Sequence, residues 1–465
     1  MKKISILTFA ILCLAIGVGK AQYTVLHNFN DTEGANPYGS LIMSGNKLFG
    51  MTRGGGVGKY GCIFSLNNNG TGFKDLLDFK ISNGSTPSGD LTLMRNRLYG
   101  MTYFGGIYGY GCLFSIDTTG NGYKDLHDFN FAPSDGFYPY GSVIIAGNMI
   151  YGMASNGGAW GAGIVFSIDT NGTQFKIIHN FIMADTSGAL PDGLLLLLGK
   201  TLFGMTFTEG KFGFGCVFSL DTNGSRYKDL LDFSGTNGKN PWGSVINNGS
   251  KLYGMTEFGG INNYGIVFSL DTDGTGYKDL LDMNYINGSG PQGNLILSGN
   301  VLFGMTNNCP PNGGNIFSIR TDGSAFKDHY DFDCSTGCVP FGSLILSGKY
   351  LYGMTERGGT IDSGVVFRFD TNFTVSINNL SAPIGLISLF PNPSTGSFTL
   401  SLSNINEKCN VEIYNVIGEC VLTQILRSTQ DDNLIEFNQP NGVYFYRVVN
   451  EEGGLVGSGK VVIEK

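Results

Sequence analysis

Of 465 residues, 72 are glycine, twice the usual share of roughly 7%, and only 14% are charged where about 25% is common. A chain that is 42% hydrophobic and lacks a three-residue glycine period is neither charge-rich disorder, coiled coil nor collagen. The net charge of −8 supplies no basic face for nucleic acid or an anionic membrane. The composition fits an all-β chain with many turns.

Residues 1–21 read as a signal peptide. Lys2 and Lys3 precede an apolar run from Ile4 to Val18, too short to span a bilayer comfortably, and Gly19-Lys20-Ala21 offers small residues at a cleavage site. Nothing later approaches 18 consecutive apolar residues, so no transmembrane helix is expected in the mature chain.

From Tyr23 onward one unit recurs. The string Leu48-Phe49-Gly50-Met51-Thr52 returns as Leu98-Tyr99-Gly100-Met101-Thr102, as Ile150-Tyr151-Gly152-Met153-Ala154, and again around Met205, Met255, Met305 and Met354. Spacings of 50, 52, 52, 50, 50 and 49 give seven copies of about 50 residues, within the period range of propellers and solenoids. Each copy holds four strand-like segments: a, after a Pro-x-Gly (Pro37-Tyr38-Gly39); b, the aromatic-Gly-Met string; c, as in Gly61-Cys62-Ile63-Phe64-Ser65-Leu66; and d, as in Tyr123-Lys124-Asp125-Leu126-His127-Asp128-Phe129. Short β-branched and aromatic runs between turn residues predict a four-stranded antiparallel sheet per copy.

Copy seven lacks segment d, whereas Tyr23-Thr24-Val25-Leu26-His27-Asn28-Phe29 supplies a d-like segment ahead of copy one. A leading strand that completes the last unit closes a ring, whereas an open solenoid would need polar caps. The expectation is a seven-bladed β-propeller over 22–372, closed by its N-terminal strand. The d-to-a and b-to-c loops, longer and more variable, then share one face, where recognition usually sits. The Gly-Met-Thr and Gly-x-Ile-Phe-Ser-Leu-Asp strings resemble the GloVer (Gloeobacter/Verrucomicrobia) tandem-repeat family in all seven copies. The resemblance implies a propeller-like extracellular protein and carries no activity.

After a linker at 373–385, residues 386–465 change character, with alternating strands and Gly turns that predict a small Ig-like β-sandwich. Pro391-Asn392-Pro393 with Gly396, Ile413-Tyr414-Asn415 with Gly418, Gly442-Val443-Tyr444-Phe445 and the terminal run from Lys460 to Lys465 resemble the type A C-terminal sorting domain of the type IX secretion system. Asn415 departs from the Asp common there. The resemblance implies export by the secretion machinery across the outer membrane of a Gram-negative bacterium, to the surface or the medium.

Chemistry is weakly represented. His27, His127 and His179 occupy a column held elsewhere by Leu77, Leu231, Leu281 and Tyr330, so packing is expected of them, and no metal site, catalytic triad or cofactor motif is found. Cys62, Cys112 and Cys216 alternate with Ile164, Ile266 and Val365 and read as small buried hydrophobes. Cys309, Cys334 and Cys338 lie in loops, and either Cys334–Cys338 or a pairing with Cys309 is open; Cys409 and Cys420 are not obviously opposed. Asp78, Asp128, Asp232, Asp282 and Asp331, with Asn28 and Asn180, form a column that predicts one hydrogen bond repeated per blade. Lys74, Lys124, Lys176, Lys228, Lys278 and Lys327 form another, suited to an exposed outer strand. Asp271-Thr272-Asp273-Gly274 lacks the later Glu of a calcium loop and reads as a hairpin turn.

The repeat breaks at aromatic residues. Tyr103, Phe104, Tyr108, Trp160, Phe207, Phe212, Trp242 and Phe258 are candidates for ligand binding, with Tyr38, Tyr140 and Phe341 beside them after the prolines. Blade-to-blade packing is the competing role for the same rings. The functional expectation is a monomeric secreted or cell-surface protein that binds glycan or protein through the loop-rich face, without catalysis, cofactor or nucleic acid. A propeller-fold polysaccharide lyase or glycosidase, drawing on Arg53, Arg357, Glu209, Glu257 and Glu356, is the alternative, with a surface-layer component as a third reading.

Overall fold

A computed structural model describes residues 22–183, 186–309, 313–371, 387–402, 408–415, 420–426, 432–450 and 455–465. The signal segment, the linker and Gly418 lie outside them. The chain divides into two compact units, Met1–Thr371 and Asn372–Lys465.

In the first unit the described residues form seven four-stranded antiparallel sheets, each ordered a-b-c-d. Blade 1 consists of Ile42–Ser44, Lys47–Thr52, Cys62–Asn67 and Lys74–Asp78. The last sheet takes Ile345–Ser347, Tyr350–Thr355 and Val365–Asp370 from the C-terminal end of the unit, and its d strand is Tyr23–Asn28, paired with strand c from Tyr23↔Phe369 to Asn28↔Val365. The ring thus closes where the d-like segment at the N-terminus predicts. The same seam is packed as well as paired: Phe29, Leu41, Leu48 and Phe64 share a core with Tyr352, Met354 and Val366. A 3-10 turn, Ile81–Asn83, is the one helical element among the described residues, and no helix there is long and apolar enough to cross a membrane.

Two glycine columns explain the blade geometry. A Cβ on Gly39 would stand 2.2 Å from the Gly89 carbonyl oxygen, and the relation repeats from Gly89 to Gly141, Gly193, Gly243, Gly293, Gly342 and back to Gly39, at 2.0–2.7 Å. Seven backbones meet edge to edge around the axis at a separation that excludes any side chain. Gly50 pairs across the b–c ladder with Phe64, whose ring tip would lie 2.7 Å from a Gly50 Cβ; the ring occupies the space that glycine leaves, as at Gly204 with Phe218.

The other columns join blade to blade. His27 stacks on Phe73 at 4.1 Å, His127 on Phe175 at 3.9 Å and His179 on Tyr227 at 4.2 Å, each ring meeting the start of the next d strand; His127 Nε2 also bonds buried Asp135 at 3.0 Å, a polar role beyond packing. The acidic column makes its repeated bond: the N–H of Val57, Ile107, Lys211 and Ile261 donates to Asp78, Asp128, Asp232 and Asp282, and Asn28 and Asn180 accept likewise from Thr360 and Ala159. Blade 6 departs from it, where Asp331 accepts from the Cys309 thiol at 3.4 Å.

Two readings hold, the cysteines buried and the lysines exposed on the outer strand, and both gain bonding partners. Cys62, Cys112 and Cys216 are buried but polar in use: each sulfur lies 3.2–3.4 Å from the Oγ1 of Thr52, Thr102 or Thr206 and donates to the carbonyl of Glu33, Asn83 or Ser187. In blade 6 Asn315 takes this place and accepts from Thr306 Oγ1 at 2.7 Å. The lysines do more than stand on an outer strand, since Lys74 and Lys124 donate to the carbonyls of Thr119 and Asn171 in the c-to-d turn of the next blade, and Lys228 and Lys278 do the same to Asp273 and Asp322. Of the open cysteine pairings the structure takes Cys334–Cys338 and leaves Cys309 buried and free. The Asp271–Gly274 segment is a hairpin turn, closed by Gly274 N–H donating to Asp271 O at 2.9 Å.

The second unit has two sheets. Ile387–Phe390, Ser397–Leu402 and Asp432–Glu436 form one, and Cys420–Leu426, Cys409–Tyr414, Gly442–Asn450 and Leu455–Ile463 the other. Phe398, Leu400 and Ile435 from the first share one core with Val411, Ile413, Val448 and Val461 from the second, the arrangement of a sandwich. Cys409 pairs in register with Leu426 and Cys420 with Tyr414, so the two cysteines are not opposed.

Candidate functional site

Each blade sends a Pro-x-Gly tripeptide to the axis, and three consecutive positions build the channel there. The residue after the glycine forms a girdle of side chains turned along the ring: Ser40 N–H donates to Asp90, Asp90 N–H to Ser142 Oγ, Ser244 N–H to Asn294, Asn294 N–H to Ser343 Oγ, and Ser343 N–H to Ser40 Oγ. Leu194 interrupts the girdle in blade 4. The side chains of Ser40, Asp90, Ser142, Asn294 and Ser343 are consumed in holding the ring, the buried Ser244 hydroxyl takes no bond, and burial pushes the Asp90 carboxyl above its ordinary range.

The residue before the glycine faces the mouth, and here the blades differ: Tyr38, Ser88, Tyr140, Asp192, Trp242, Gln292 and Phe341. The residue after strand b, at the start of each b-to-c loop, supplies a second variable set: Arg53, Tyr103, Ser155, Phe207, Glu257, Asn307 and Glu356.

The two sets interlock. Tyr38 stacks on Phe341 at 4.4 Å and meets Tyr140 edge-on at 5.6 Å; Tyr140 lies 5.0 Å from Trp242 and 5.6 Å from Tyr103, and Phe207 lies 4.6 Å from Trp242. Polar bonds fix these rings. Trp242 Nε1 and Gln292 Nε2 both donate to Glu257, Tyr38 Oη donates to Gln292 Oε1 at 3.1 Å, and the Arg53 guanidinium sits 5.1 Å from the centre of the Tyr38 ring. The axial cavity, lined by the Pro-x-Gly residues and the girdle, among them Tyr38, Tyr140, Asp192, Trp242 and Phe341, is about 60 Å³, room for waters rather than a sugar. A ligand would therefore meet the aromatic cluster from the solvent side.

The electrostatics of the mouth follow from burial. Asp192, 8% exposed, accepts from Ser155 Oγ, and burial pushes its carboxyl up to about 7 against that bond. Burial also raises Glu257, opposed by its bonds from Gln292 and Trp242, and Glu356, opposed by Arg357 and Arg53. The Tyr38 hydroxyl is pushed up to about 12, chiefly by burial, and stays protonated as a donor. No group of three or more His, Cys, Asp or Glu suited to a metal ion occurs among the described residues.

The aromatics expected to bind ligand fall into two groups. Tyr103, Phe207 and Trp242 belong to the mouth, in contact with Tyr38, Tyr140 and Phe341 or one step from them. Phe104 and Tyr108 of blade 2, with Trp160, Phe212 and Phe258 of blades 3, 4 and 5, stand apart from that cluster in the b-to-c loops, 38–62% exposed. Tyr103–Phe104 at 4.5 Å links the groups in blade 2, while Lys211 lies over Phe212 and Lys239 over Phe258. Sequence reasoning names Arg53, Glu257 and Glu356 as loop charges but misses Asp192, Gln292 and the girdle. The Pro-x-Gly column held the signal, since its middle position varies while its flanks do not.

In the second unit, the sorting-motif residues gather. Asn392 accepts from Val462 N–H and donates to Lys460 O, both at 2.8 Å; Gly396 holds φ +119° and accepts from Phe437 N–H; Tyr444 Oη donates to Pro440 O. The Pro391-Asn392-Pro393 turn is thereby tied to the last strand.

Residues 15–163 and 138–367 match the Gloeobacter/Verrucomicrobia repeat, and residues 388–464 match the secretion system C-terminal sorting domain. No curated protein matches the sequence. Among solved structures, the chain is similar to a putative 6-phosphogluconolactonase from Bacteroides uniformis (14% identity, 92% of this chain and 100% of that one, TM-score 0.44). It is also similar to the β-propeller domain of the Trilobed protease from Pyrococcus furiosus (10% identity, 72% and 94%, TM-score 0.44) and to the tricorn protease (10% identity, TM-score 0.36), of which it covers 40%.

Proposed function

Since the chain belongs to the Gloeobacter/Verrucomicrobia repeat family and ends in a type IX secretion sorting domain, we propose that it is an exported surface protein whose propeller binds an extracellular ligand at the channel mouth, without turning it over. The sorting domain indicates export to the extracellular or outer-membrane surface of a Gram-negative bacterium by way of the secretion machinery. The ligand is a glycan or a protein that presents apolar faces edged with hydrogen-bonding groups.

One observation carries this reading. Around a ring of otherwise repeated residues, the two columns that meet at the mouth differ from blade to blade, and they place six aromatic rings beside Arg53, Glu257, Gln292 and Glu356. Aromatic faces with polar edges stack on sugar rings and anchor side chains. The rim aromatics then widen the contact rather than make it. Binding of the full chain to a panel of immobilised glycans, with Phe207→Ala and Tyr103→Ala as variants, tests the proposal; saturable binding that the variants lose supports it.

A polysaccharide-cleaving enzyme is the second reading, favoured by three carboxyls raised by burial at one mouth, Asp192, Glu257 and Glu356. Against it, Asp192 and Glu257 are already engaged by Ser155, Trp242 and Gln292. Release of reducing ends from a bound polysaccharide, abolished by Glu257→Gln, would replace the binding proposal with this one.

A further inference from the structure

In the four-stranded sheet of the sorting unit, successive residues alternate between the core and the outside. Ile413, Tyr444, Tyr446, Val448 and Val461 point into the core. Their neighbours make up the outer face, and the pairing register sets them in rows across three strands: Glu412 beside Arg447, Tyr414 beside Phe445 beside Lys460, and Val443 beside Val462.

An antiparallel sheet with one face on a core normally shows polar side chains on the other. This one shows an aromatic and aliphatic patch instead, with Phe445 49% and Val443 37% exposed. The polar residues around the patch are ordered: Arg447 and Tyr414 Oη both bond Glu412, and the Arg447 guanidinium lies 5.3 Å from the centre of the Tyr414 ring. Exposed Lys460 adds a second cation beside Phe445. The core does not need these outward residues, yet Tyr414, Val443, Phe445 and Lys460 belong to the same strings that mark the unit as a sorting domain. Apolar surface ordered in this way marks an interaction site rather than a packing remainder.

We propose that this outer face, centred on Tyr414 and Phe445 and edged by Arg447 and Lys460, is the surface by which the secretion machinery engages the tail. The inference rests on the reading of residues 388–464 as a sorting domain. The fitting partner surface is apolar at its centre with a carboxylate at its edge opposite Lys460, since Glu412 already pairs Arg447.

The test uses the full-length chain in a bacterium with a working type IX system, reading the fraction of protein at the surface or in the medium against that retained in the periplasm. Tyr414→Ser with Phe445→Thr is expected to lower the exported fraction at least tenfold, and Lys460→Glu to lower it severalfold, with the thermal unfolding of the purified full-length chains unchanged. If the double variant melts early, Lys460→Glu, a surface charge change, decides the matter alone. Normal export of folded variants would overturn the proposal, as would a change from dimer to monomer in solution with export intact, which would assign the face to a second copy. A chain lacking residues 386–465 separates the two levels: export without the tail would refute the sorting reading itself, whereas export lost on deletion but kept in the face variants would refute the face alone.

Discussion

Two regions of the propeller occupy equivalent positions in every blade and treat them in opposite ways. The axial glycines and the blade interior repeat: glycine meets glycine around the axis, phenylalanine fills the space over the second glycine column, and lysine reaches the next turn. The mouth, one residue away along the same tripeptide, holds six residue types in seven blades, with only Tyr38 and Tyr140 alike. A recurring residue answers a packing demand that recurs with each blade, so every copy is held to it. A position facing solvent at the axis has no such demand, and its seven versions can be spent on one asymmetric surface.

That contrast can be broken from the scaffold side first. Phe218→Ala, which empties the space over Gly204, is expected to cost about 4 kcal/mol, read by chemical unfolding. Gly141→Ala, which drives a methyl onto the Gly193 carbonyl at 2.0 Å, is expected to cost roughly 3 kcal/mol. If either is tolerated as well as Tyr103→Ala at the mouth, the division between scaffold and mouth is wrong.

A smaller effect comes from the outer strands. The carboxyl of Asp75 is pushed up to about 6 by burial and then by the Asp78 charge, and Asp125, Asp229 and Asp279 are raised by burial and by their partners Asp128, Asp232 and Asp282. Between the ordinary carboxyl value near 4 and these raised values the folded chain binds more protons than the unfolded one, so this contribution to stability falls as pH rises through that window. His27 and His329, lowered by burial, pull the other way below about 6.5. Replacing the four aspartates by asparagine isolates the first contribution: the wild type should lose more of its melting temperature between pH 5 and pH 8 than the variant does. Smallest of all, Lys74→Ala removes one bond to Thr119 O at the surface and should shift unfolding by no more than about 0.5 kcal/mol.

The scaffold was legible in the sequence because it repeats. Seven aligned copies expose glycine, aromatic and aspartate columns, and the d-like segment at Tyr23–Asn28 announces how the ring closes. Residue roles that need a neighbouring blade were not legible: that Lys74 reaches Thr119, or that Cys62 bonds Thr52 and Glu33, depends on contacts no single copy contains. The candidate site was half legible. Aromatic departures from the repeat stood out, but rim and mouth looked alike until the axis brought Tyr38, Tyr140, Trp242 and Phe341 together. Asp192 and Gln292 carry a signal only as members of the variable middle column of Pro-x-Gly, since a lone acid or amide after a proline does not show what its position faces.

The central claim is that recognition belongs to the mouth, and the most direct measurement compares two aromatic truncations in one binding assay. Against a glycan or protein ligand found with the full chain, Phe207→Ala at the mouth should weaken affinity at least tenfold, while Trp160→Ala on the rim, with the same melting temperature, should change it less than threefold. Loss of binding in Trp160→Ala with Phe207→Ala unaffected would contradict the account and move the site to the rim.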